Sequence, residues 1–149
     1  RCLRRWARPW ARMNSDRGSP IYFYTRTMPY WGLSNFSPPG LTADGVYWPT
    51  VEHYFQAQKF LDPEVRESIR KAASPKQARE LGQRRSHPLR ENWDELRVQV
   101  MLTALRLKFS QGPARDLLLS TGDRLLAESS PFDYFWAVGS DGSGLNTLG

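Results

Sequence analysis

Residues 50–60 read TVEHYFQAQKF and predict a helix that is apolar around most of its circumference. Thr50 precedes this helix, where its hydroxyl can cap the first free N–H groups. At about 100° per residue, Glu52, Gln56 and Lys59 fall within a sector of about 60°. A helix apolar nearly all round is usually buried. The line of carboxylate, amide and amine on a buried helix therefore requires an explanation.

The positive charge of the chain is concentrated at its start. The 149 residues carry a net charge of +6, and residues 1–12 hold five arginines and no acidic residue. Removing those five from the 21 basic residues leaves 16 against 15 acidic residues, a net charge of +1. This near-neutral body weighs against a nucleic-acid polymer as the partner. The hydrophobic content is 40% and no run reaches the ~20 apolar residues of a membrane span, so we expect a soluble domain without a membrane partner.

The two ends of the chain and its cysteine content set further expectations. Met13 precedes a polar stretch, so we expect residues 1–20 to be an Arg-rich, disordered extension whose first twelve residues are read-through or a fragment. A targeting peptide is the alternative. The single cysteine, Cys2, excludes an internal disulfide and fits a reducing, cytoplasmic compartment. One cysteine and two histidines also argue against a zinc site. The glycine-rich end predicts that the chain is truncated at Gly149.

Local signals divide the remaining sequence into short strands and helices. Strand composition and turn residues predict strands at 21–25, 41–48 (a hairpin with Asp44-Gly45 at its turn) and 124–129. Caps and helix breakers predict helices at 50–61, 64–73 after Asp62-Pro63, 76–81 between Ser74-Pro75 and Gly82, 93–111 after Asn92, and 114–121 after Pro113. The long helix has apolar residues three or four positions apart, which predicts that they face the core: Trp93, Leu96, Val100, Ala104 and Leu107.

Several polar residues have both an ordinary and a functional interpretation. Glu52 in the first helical turn can simply favour the helix dipole, or its desolvation beside Phe55 can suit it to acid/base chemistry. His53 points about 100° away from Glu52 and is interpreted as a hydrogen-bonded structural residue. Lys108, near the end of the long helix, is explained by the helix dipole.

Two loops carry further candidates. The loop 28–40 contains Trp31, Ser34 and Asn35, and such turn residues most often bond their own backbone. Alternatively, the amide reads a base edge or a sugar hydroxyl while an aromatic ring stacks. The segment 133–136 leads into the glycine-rich stretch 139–146, whose backbone can form a phosphate cradle or a plain turn.

Taken together, six segments resemble the NADAR family, and within it the YbiA-like N-glycosidases. These are YWGLSNFSP (30–38), TVEHYFQAQKF (50–60), SPKQARELG (74–82), NWDELRVQVMLTALRLKF (92–109), LLLSTGDRLLAESSPFDYFW (117–136) and GSGLNTLG (142–149). The resemblance extends from Ile21 to Gly149. It implies a compact, single-domain α+β fold over 21–149 that is mainly helical with a small β-sheet, and it implies no metal or organic cofactor.

The resemblance also implies an activity. YbiA-like members hydrolyse the N-glycosidic bond of ribosylamino-pyrimidine phosphates, intermediates of riboflavin biosynthesis, and release ribose 5-phosphate. Other NADAR members act on ADP-ribose linked to acceptors such as guanine, so nucleic acid enters only as a modified substrate. The alternatives are therefore an ADP-ribosyl hydrolase or a non-catalytic domain that binds ADP-ribose or a nucleotide. The partner in each case is a small ribosyl-phosphate or ADP-ribosyl molecule.

Combined with the residues, this resemblance yields a set of expected roles. Cleavage of a ribosyl C–N bond develops positive charge on the sugar, which carboxylates stabilise. Glu52 is the expected acid/base or charge-stabilising group, with Asp133 as its partner. Lys59 is expected to bind phosphate or a sugar oxygen, with a Schiff base as the alternative. The other expected substrate-binding residues are Trp31 and Trp136 (base stacking), Ser34, Asn35 and Gln56 (polar contacts) and Asn146 (phosphate).

Two departures from the family pattern are visible. The family usually has Trp-Gly where this chain has Trp136-Ala137, which adds a methyl group where backbone can approach a ligand. The family also usually continues past the final Leu-Gly with a short helix.

Overall fold

The computed structural model describes residues 18–110 and 112–149, and the chain forms two units. Within the described residues, the first unit is 18–34 with 117–149, and the second is 35–110 with 112–116. In chain order the elements are β1 (Ile21–Phe23), a 3-10 turn (Trp31–Leu33), β2 (Leu41–Ala43), β3 (Val46–Trp48), α1 (Val51–Ala57), α2 (Pro63–Arg70), α3 (Pro75–Gln83), α4 (Trp93–Lys108), α5 (Gly112–Ser120) and β4 (Leu126–Glu128). The predicted α+β, mainly helical fold class is confirmed. The expected extension at 1–20 lies mostly outside the described residues.

Each unit has its own two-stranded sheet. In the first unit, β1 pairs with β4 in parallel, with Tyr22 opposite Ala127. In the second unit, β2 and β3 form the predicted antiparallel hairpin, with Ala43 opposite Val46. Both turn residues of this hairpin have positive φ, 50° at Asp44 and 76° at Gly45, as a two-residue turn of type I′ requires.

Helix α1 is the centre of the second unit, and α2, α3 and α4 all pack against it. The Thr50 hydroxyl accepts the His53 N–H at 3.2 Å, which confirms the predicted cap. The helix is buried on nearly every side, including Glu52 and Gln56. The polar side chains of Glu52 and Gln56 therefore lie in the protein interior rather than on a solvated face.

His53 has the structural role that its position predicted. Its Nε2 lies 3.1 Å from the Ala72 carbonyl oxygen and its Nδ1 lies 2.8 Å from the Thr50 hydroxyl. A carbonyl only accepts, so Nε2 carries the proton and Nδ1 accepts from Thr50. Burial lowers the pKa of His53, against a smaller opposing effect of the Ala72 hydrogen bond. The neutral ring thus ties the start of α1 to the end of α2.

Helix α1 is shorter than predicted. It ends at Ala57, not at residue 61, because the next turn tightens. The Lys59 N–H bonds to the Gln56 carbonyl at 3.3 Å and the Phe60 N–H to the Ala57 carbonyl at 3.2 Å, both spanning three residues as in a 3-10 turn. Lys59 therefore lies just past the helix, although it follows the same line of side chains.

Helices α2 and α3 begin where the sequence predicted. The Asp62 carboxylate accepts the Glu64 N–H at 2.8 Å, and the Ser74 hydroxyl accepts the Gln77 N–H at 3.1 Å. The prediction that Gly82 stops α3 is wrong, since the helix continues to Gln83. Gly82 is instead buried against Gln56, so that a Cβ placed there would lie 2.8 Å from the Gln56 Cβ. The absence of a side chain allows α3 to approach α1 closely.

Two predictions for helix α4 are also wrong in detail. Asn92 occupies the cap position in a left-handed conformation, φ 60°, and its side chain makes no capping hydrogen bond. Its carbonyl oxygen accepts instead, from Glu95 and Leu96. The predicted core residue Leu107 is 37% exposed, whereas Lys108 is only 2% exposed. The buried stripe of α4 is Trp93, Met101, Ala104 and Lys108.

The burial of Lys108 means that the helix dipole does not explain it. Its Nζ donates to the Ser37 carbonyl at 3.1 Å and to the Ser37 hydroxyl at 2.9 Å. Burial lowers the pKa of Lys108 to about 7. An interior amine costs free energy unless it is hydrogen-bonded, so the bonds to Ser37 are the contacts that explain the position of Lys108.

Among the described residues, no helix is both long and apolar enough to cross a bilayer.

Gly82→Ala tests the close packing of α3 on α1. Alanine in place of an interior helical glycine ordinarily stabilises by about 0.5–1 kcal/mol. Here the added methyl group would meet the Gln56 Cβ at 2.8 Å and Cδ at 2.9 Å. We expect the free energy of unfolding in urea to fall by about 1–3 kcal/mol instead.

The matched control is Gln83→Ala at the exposed neighbouring position, which we expect to change the free energy of unfolding by less than about 0.5 kcal/mol. A Gly82→Ala protein as stable as the wild type, or more stable, would contradict this packing.

Candidate active site in the second unit

Glu52 is the buried centre of a polar cluster between α1 and α3, whose Arg79 side chain is partly exposed. Glu52 is 6% exposed. Its Oε1 accepts a hydrogen bond from the Gln56 Nε2 at 2.8 Å, and the Arg79 Nε lies 3.9 Å from the same oxygen. Opposite charge at this distance favours an ionised carboxylate, while burial disfavours it. The arrangement can therefore hold a carboxylate in the interior, bonded to the Gln56 amide and faced by the Arg79 guanidinium.

Arg79 reaches Glu52 because of the glycine one turn later in its helix. Arg79 and Gly82 are three residues apart and so lie on the same face of α3. Gly82 brings this face against Gln56, which places Arg79 opposite the first turn of α1. The Arg79 guanidinium carbon also lies 5.5 Å from the centre of the Phe36 ring, within the range of a cation–π contact.

The segment 35–37 lies beside Glu52 and Arg79 and forms another side of this polar cluster. The Asn35 carbonyl accepts the Glu52 N–H at 3.2 Å. The Asn35 side-chain amide donates to the Met101 sulfur at 3.4 Å, and a thioether is a weak acceptor. Within the described residues, the buried oxygens Asn35 Oδ1 and Gln56 Oε1 have no hydrogen-bond partner. Buried acceptors are usually paired, so these two are exceptions in this cluster, and the Gln56 Oε1 faces Gly82 of α3.

Lys59 lies at the end of the polar line and its amine is easily deprotonated. Its Nζ is 5.9 Å from the centre of the Phe55 ring. Burial lowers the pKa of Lys59 to about 8; the Glu52 carboxylate opposes this effect, and Arg85 and Arg79 add to it. Lys59 therefore lies within electrostatic range of one carboxylate, Glu52, and of two other cations, Arg79 and Arg85. This excess of cations suits an anionic ligand, and an amine with this pKa is also partly neutral at mildly alkaline pH.

The structure thus brings together four of the predicted site residues: Glu52, Gln56, Lys59 and Asn35. Sequence analysis missed Arg79 entirely. A single arginine on a helix with many polar residues is not distinctive in sequence. Its position opposite the Glu52 carboxylate is seen only when α3 packs against α1. The one available signal was Gly82, if interpreted as a close-packing position instead of a helix stop. Phe36, in the loop 28–40, was not assigned to the site either.

The remaining predicted site residues belong to the first unit. Asp133 Oδ1 accepts the backbone N–H of Phe135 at 2.9 Å and of Trp136 at 2.7 Å. These two bonds fix a local turn. The Trp136 ring lies edge-on to Phe135, with 4.8 Å between ring centres. The turn explains why an aspartate stands here, and the catalytic role of Asp133 and the stacking role of Trp136 stay predictions.

Asn146 has a clear structural task. Its Oδ1 accepts the Glu128 N–H at 3.1 Å, and its Nδ2 donates to the Leu126 carbonyl at 2.9 Å. The side chain thus extends the hydrogen bonding of β4. Ala137 next to Trp136 is fully buried, and its carbonyl accepts the Asn146 N–H at 3.1 Å. Phosphate binding by Asn146 stays a prediction.

Two glycines of the stretch 139–144, Gly139 and Gly144, are required by local packing. Gly139 has φ 72°, and a Cβ there would lie 2.6 Å from the Tyr134 ring. A Cβ on Gly144 would lie 2.7 Å from the Val138 backbone. These contacts favour the plain-turn interpretation of this stretch over the phosphate cradle.

In the 30–34 segment, Trp31 is half-buried in the 3-10 turn, and the buried Ser34 donates its N–H to the Trp31 carbonyl at 2.9 Å.

Comparisons with known proteins agree on one family. The sequence profile described as the NADAR domain matches residues 22–149. The protein named N-glycosidase YbiA from Escherichia coli (strain K12) is 48% identical over 130 residues, which make up 87% of this chain and 81% of that protein. A riboflavin biosynthesis protein from Vibrio vulnificus is 43% identical over 131 residues, covering 87% of this chain and 36% of that longer protein.

A solved structure gives the same result. The NMR structure of the E. coli protein YbiA matches this fold with a TM-score of 0.79 at 46% identity, covering 87% of this chain and 78% of that one. Similarity in sequence and in fold therefore extends over most of the chain. The chain belongs to the NADAR domain family and is a YbiA-like member of it.

Proposed function

We propose that this protein is a hydrolase that cleaves N-glycosidic bonds, with Glu52 as the group that acts at the sugar. The observation that carries the proposal is the buried Glu52 carboxylate, bonded to Gln56 and faced by Arg79. Its relative YbiA is named an N-glycosidase. An interior carboxylate with a fixed orientation is the group that such a reaction needs.

The chemistry assigns Glu52 to the developing charge. As the C–N bond breaks, positive charge accumulates on the anomeric carbon and its ring oxygen. An ionised carboxylate stabilises that charge or removes a proton from the attacking water. Water adds its hydroxyl to the sugar, and its other proton goes to the departing nitrogen. Arg79 keeps Glu52 ionised before the reaction, and Gln56 sets the direction of the carboxylate.

The substrate that we propose is a ribosylamino-pyrimidine phosphate, from which hydrolysis releases ribose 5-phosphate. The Vibrio vulnificus relative is named a riboflavin biosynthesis protein, the pathway in which such compounds occur. Lys59, with Arg79 and Arg85 near it, forms a cationic group suited to the phosphate. Asn35 and Gln56, which lie beside Glu52, keep their expected role of polar contacts to the substrate as a proposal. Trp31, Ser34, Asp133, Trp136 and Asn146 keep the roles expected of them as proposals.

Glu52→Gln tests the central residue. The amide has the same shape and can still accept from Gln56, but it carries no charge. We expect kcat/KM for release of ribose 5-phosphate to fall by about 10²–10⁴-fold, with the folded structure unchanged by circular dichroism. The control is Glu80→Gln, an exposed carboxylate on α3, which should leave the rate unchanged. Turnover by folded Glu52→Gln at the wild-type rate would refute the proposed role.

The pKa of Lys59 predicts an alkaline limit of activity. The amine is protonated below its pKa of about 8 and neutral above it. If the ammonium binds phosphate, kcat/KM should fall as pH rises through about 8. In Lys59→Arg, the guanidinium stays charged, so the fall should move to higher pH. We would measure the pH–rate profiles of both proteins, with Lys76→Arg on the exposed face of α3 as the control. An activity that instead rises through pH 8 would favour the neutral amine, and thus the Schiff-base alternative.

A further inference from the structure

Lys108 is a buried amine outside the cluster around Glu52. It lies at the last position of α4, and its Nζ donates to both oxygens of Ser37, the carbonyl at 3.1 Å and the hydroxyl at 2.9 Å. Ser37 is itself only 1% exposed. Two hydrogen bonds from one interior amine to one residue fix that residue in both direction and distance.

Two contacts between α4 and the segment 35–37 are seen among the described residues, and the bonds of Lys108 are one of them. The other is the Asn35 side-chain amide, which donates to the Met101 sulfur at 3.4 Å. Met101 and Lys108 are seven residues apart and therefore lie on the same face of α4. Because the sulfur is a weak acceptor, Lys108 provides the stronger of these two attachments.

The segment held in this way contacts Glu52 by two routes. The Asn35 carbonyl accepts the Glu52 N–H at 3.2 Å, which fixes the start of α1. The Phe36 ring lies 5.5 Å from the guanidinium carbon of Arg79, whose Nε is 3.9 Å from the Glu52 carboxylate. A shift of Ser37 would therefore move both the backbone of Glu52 and the cation that faces it.

We propose that Lys108 is a positioning residue for the reaction: by fixing Ser37, it holds Asn35 and Phe36 so that Arg79 stays against the Glu52 carboxylate. The inference rests on the proposed function of Glu52. It adds a residue that does not touch the carboxylate and acts through the segment 35–37.

Protonation of Lys108 does not undo this attachment. Burial lowers its pKa to about 7, so both forms are present near neutral pH. The ammonium has three N–H donors, and the neutral amine retains two. Both forms can therefore donate to the two Ser37 oxygens, and the effect of Lys108 on the site persists on either side of pH 7.

The charged groups that face Glu52 in this unit determine which limb of the pH–rate profile each variant is expected to move. Arg79 faces it from α3, and Lys59 faces it from the turn after α1, with Arg85 near Lys59. Lys59 titrates at about pH 8 and so affects the alkaline side of the profile. Displacement of Arg79 would instead make Glu52 easier to protonate and would move the acid limb.

The experiment compares Lys108→Met with Arg106→Met. Methionine fills similar buried volume but cannot donate, while Arg106→Met removes an exposed cation from the same helical turn. For Lys108→Met we expect kcat to fall about tenfold or more, KM to change less, and the acid limb of kcat/KM to move to higher pH. Arg106→Met should behave as the wild type. Ser37→Ala removes only the hydroxyl acceptor and should show a smaller change in the same direction, even if Lys108→Met fails to fold.

A second readout needs no substrate. The Glu52 N–H bonds to the Asn35 carbonyl, so its hydrogen exchange reports the position of the segment 35–37. We expect this amide to exchange faster in Lys108→Met and in Ser37→Ala, relative to amides of α3, and to be unchanged in Arg106→Met. Faster exchange in an enzyme whose wild type lacks turnover would support the attachment while refuting the proposed function. A folded Lys108→Met or Ser37→Ala with wild-type exchange at Glu52 and an unmoved acid limb would overturn the inference, whatever its rate.

Discussion

The second unit is organised around a carboxylate in the protein interior. A buried charge costs free energy unless a cation and hydrogen-bond donors face it. Gln56 meets this requirement for Glu52 from the same helix, and Arg79 meets it because α3 approaches α1 closely at Gly82. The approach of two helices, permitted by one missing side chain, thus determines where the charge can be placed.

The other features of this unit keep that geometry fixed. His53 ties the start of α1 to Ala72 at the end of α2, and Asn35 binds the Glu52 N–H. Lys108 attaches the neighbouring Ser37 to α4. In the proposed reaction, a carboxylate held in this way does not need to reorganise when positive charge develops on the sugar, and such preorganisation is usually the largest single contribution to rate enhancement. Membership of the NADAR domain family places this arrangement among relatives named N-glycosidases.

Much of the fold could be predicted because its signals are local. Thr50, Asp62 and Ser74 cap their helices through contacts within three residues, and Asp44-Gly45 forms its turn without help from elsewhere. Glu52 and Gln56 followed from helical periodicity alone. Arg79 and Lys108 could not be found in this way, because their partners are 27 and 71 residues away in sequence. Gly82 was misinterpreted because a glycine that ends a helix and one that lets two helices touch look the same in sequence.

The central claim is that Arg79 holds the buried Glu52 carboxylate in its ionised form, ready to act at the sugar. The most direct measurement is the ¹³C chemical shift of the Glu52 carboxyl carbon as a function of pH, in the wild type and in Arg79→Gln. We predict that the carboxylate takes up its proton at a higher pH once the guanidinium is gone, because one of the cations that oppose the effect of burial has been removed. An unchanged titration of Glu52 in a folded Arg79→Gln protein would contradict the account.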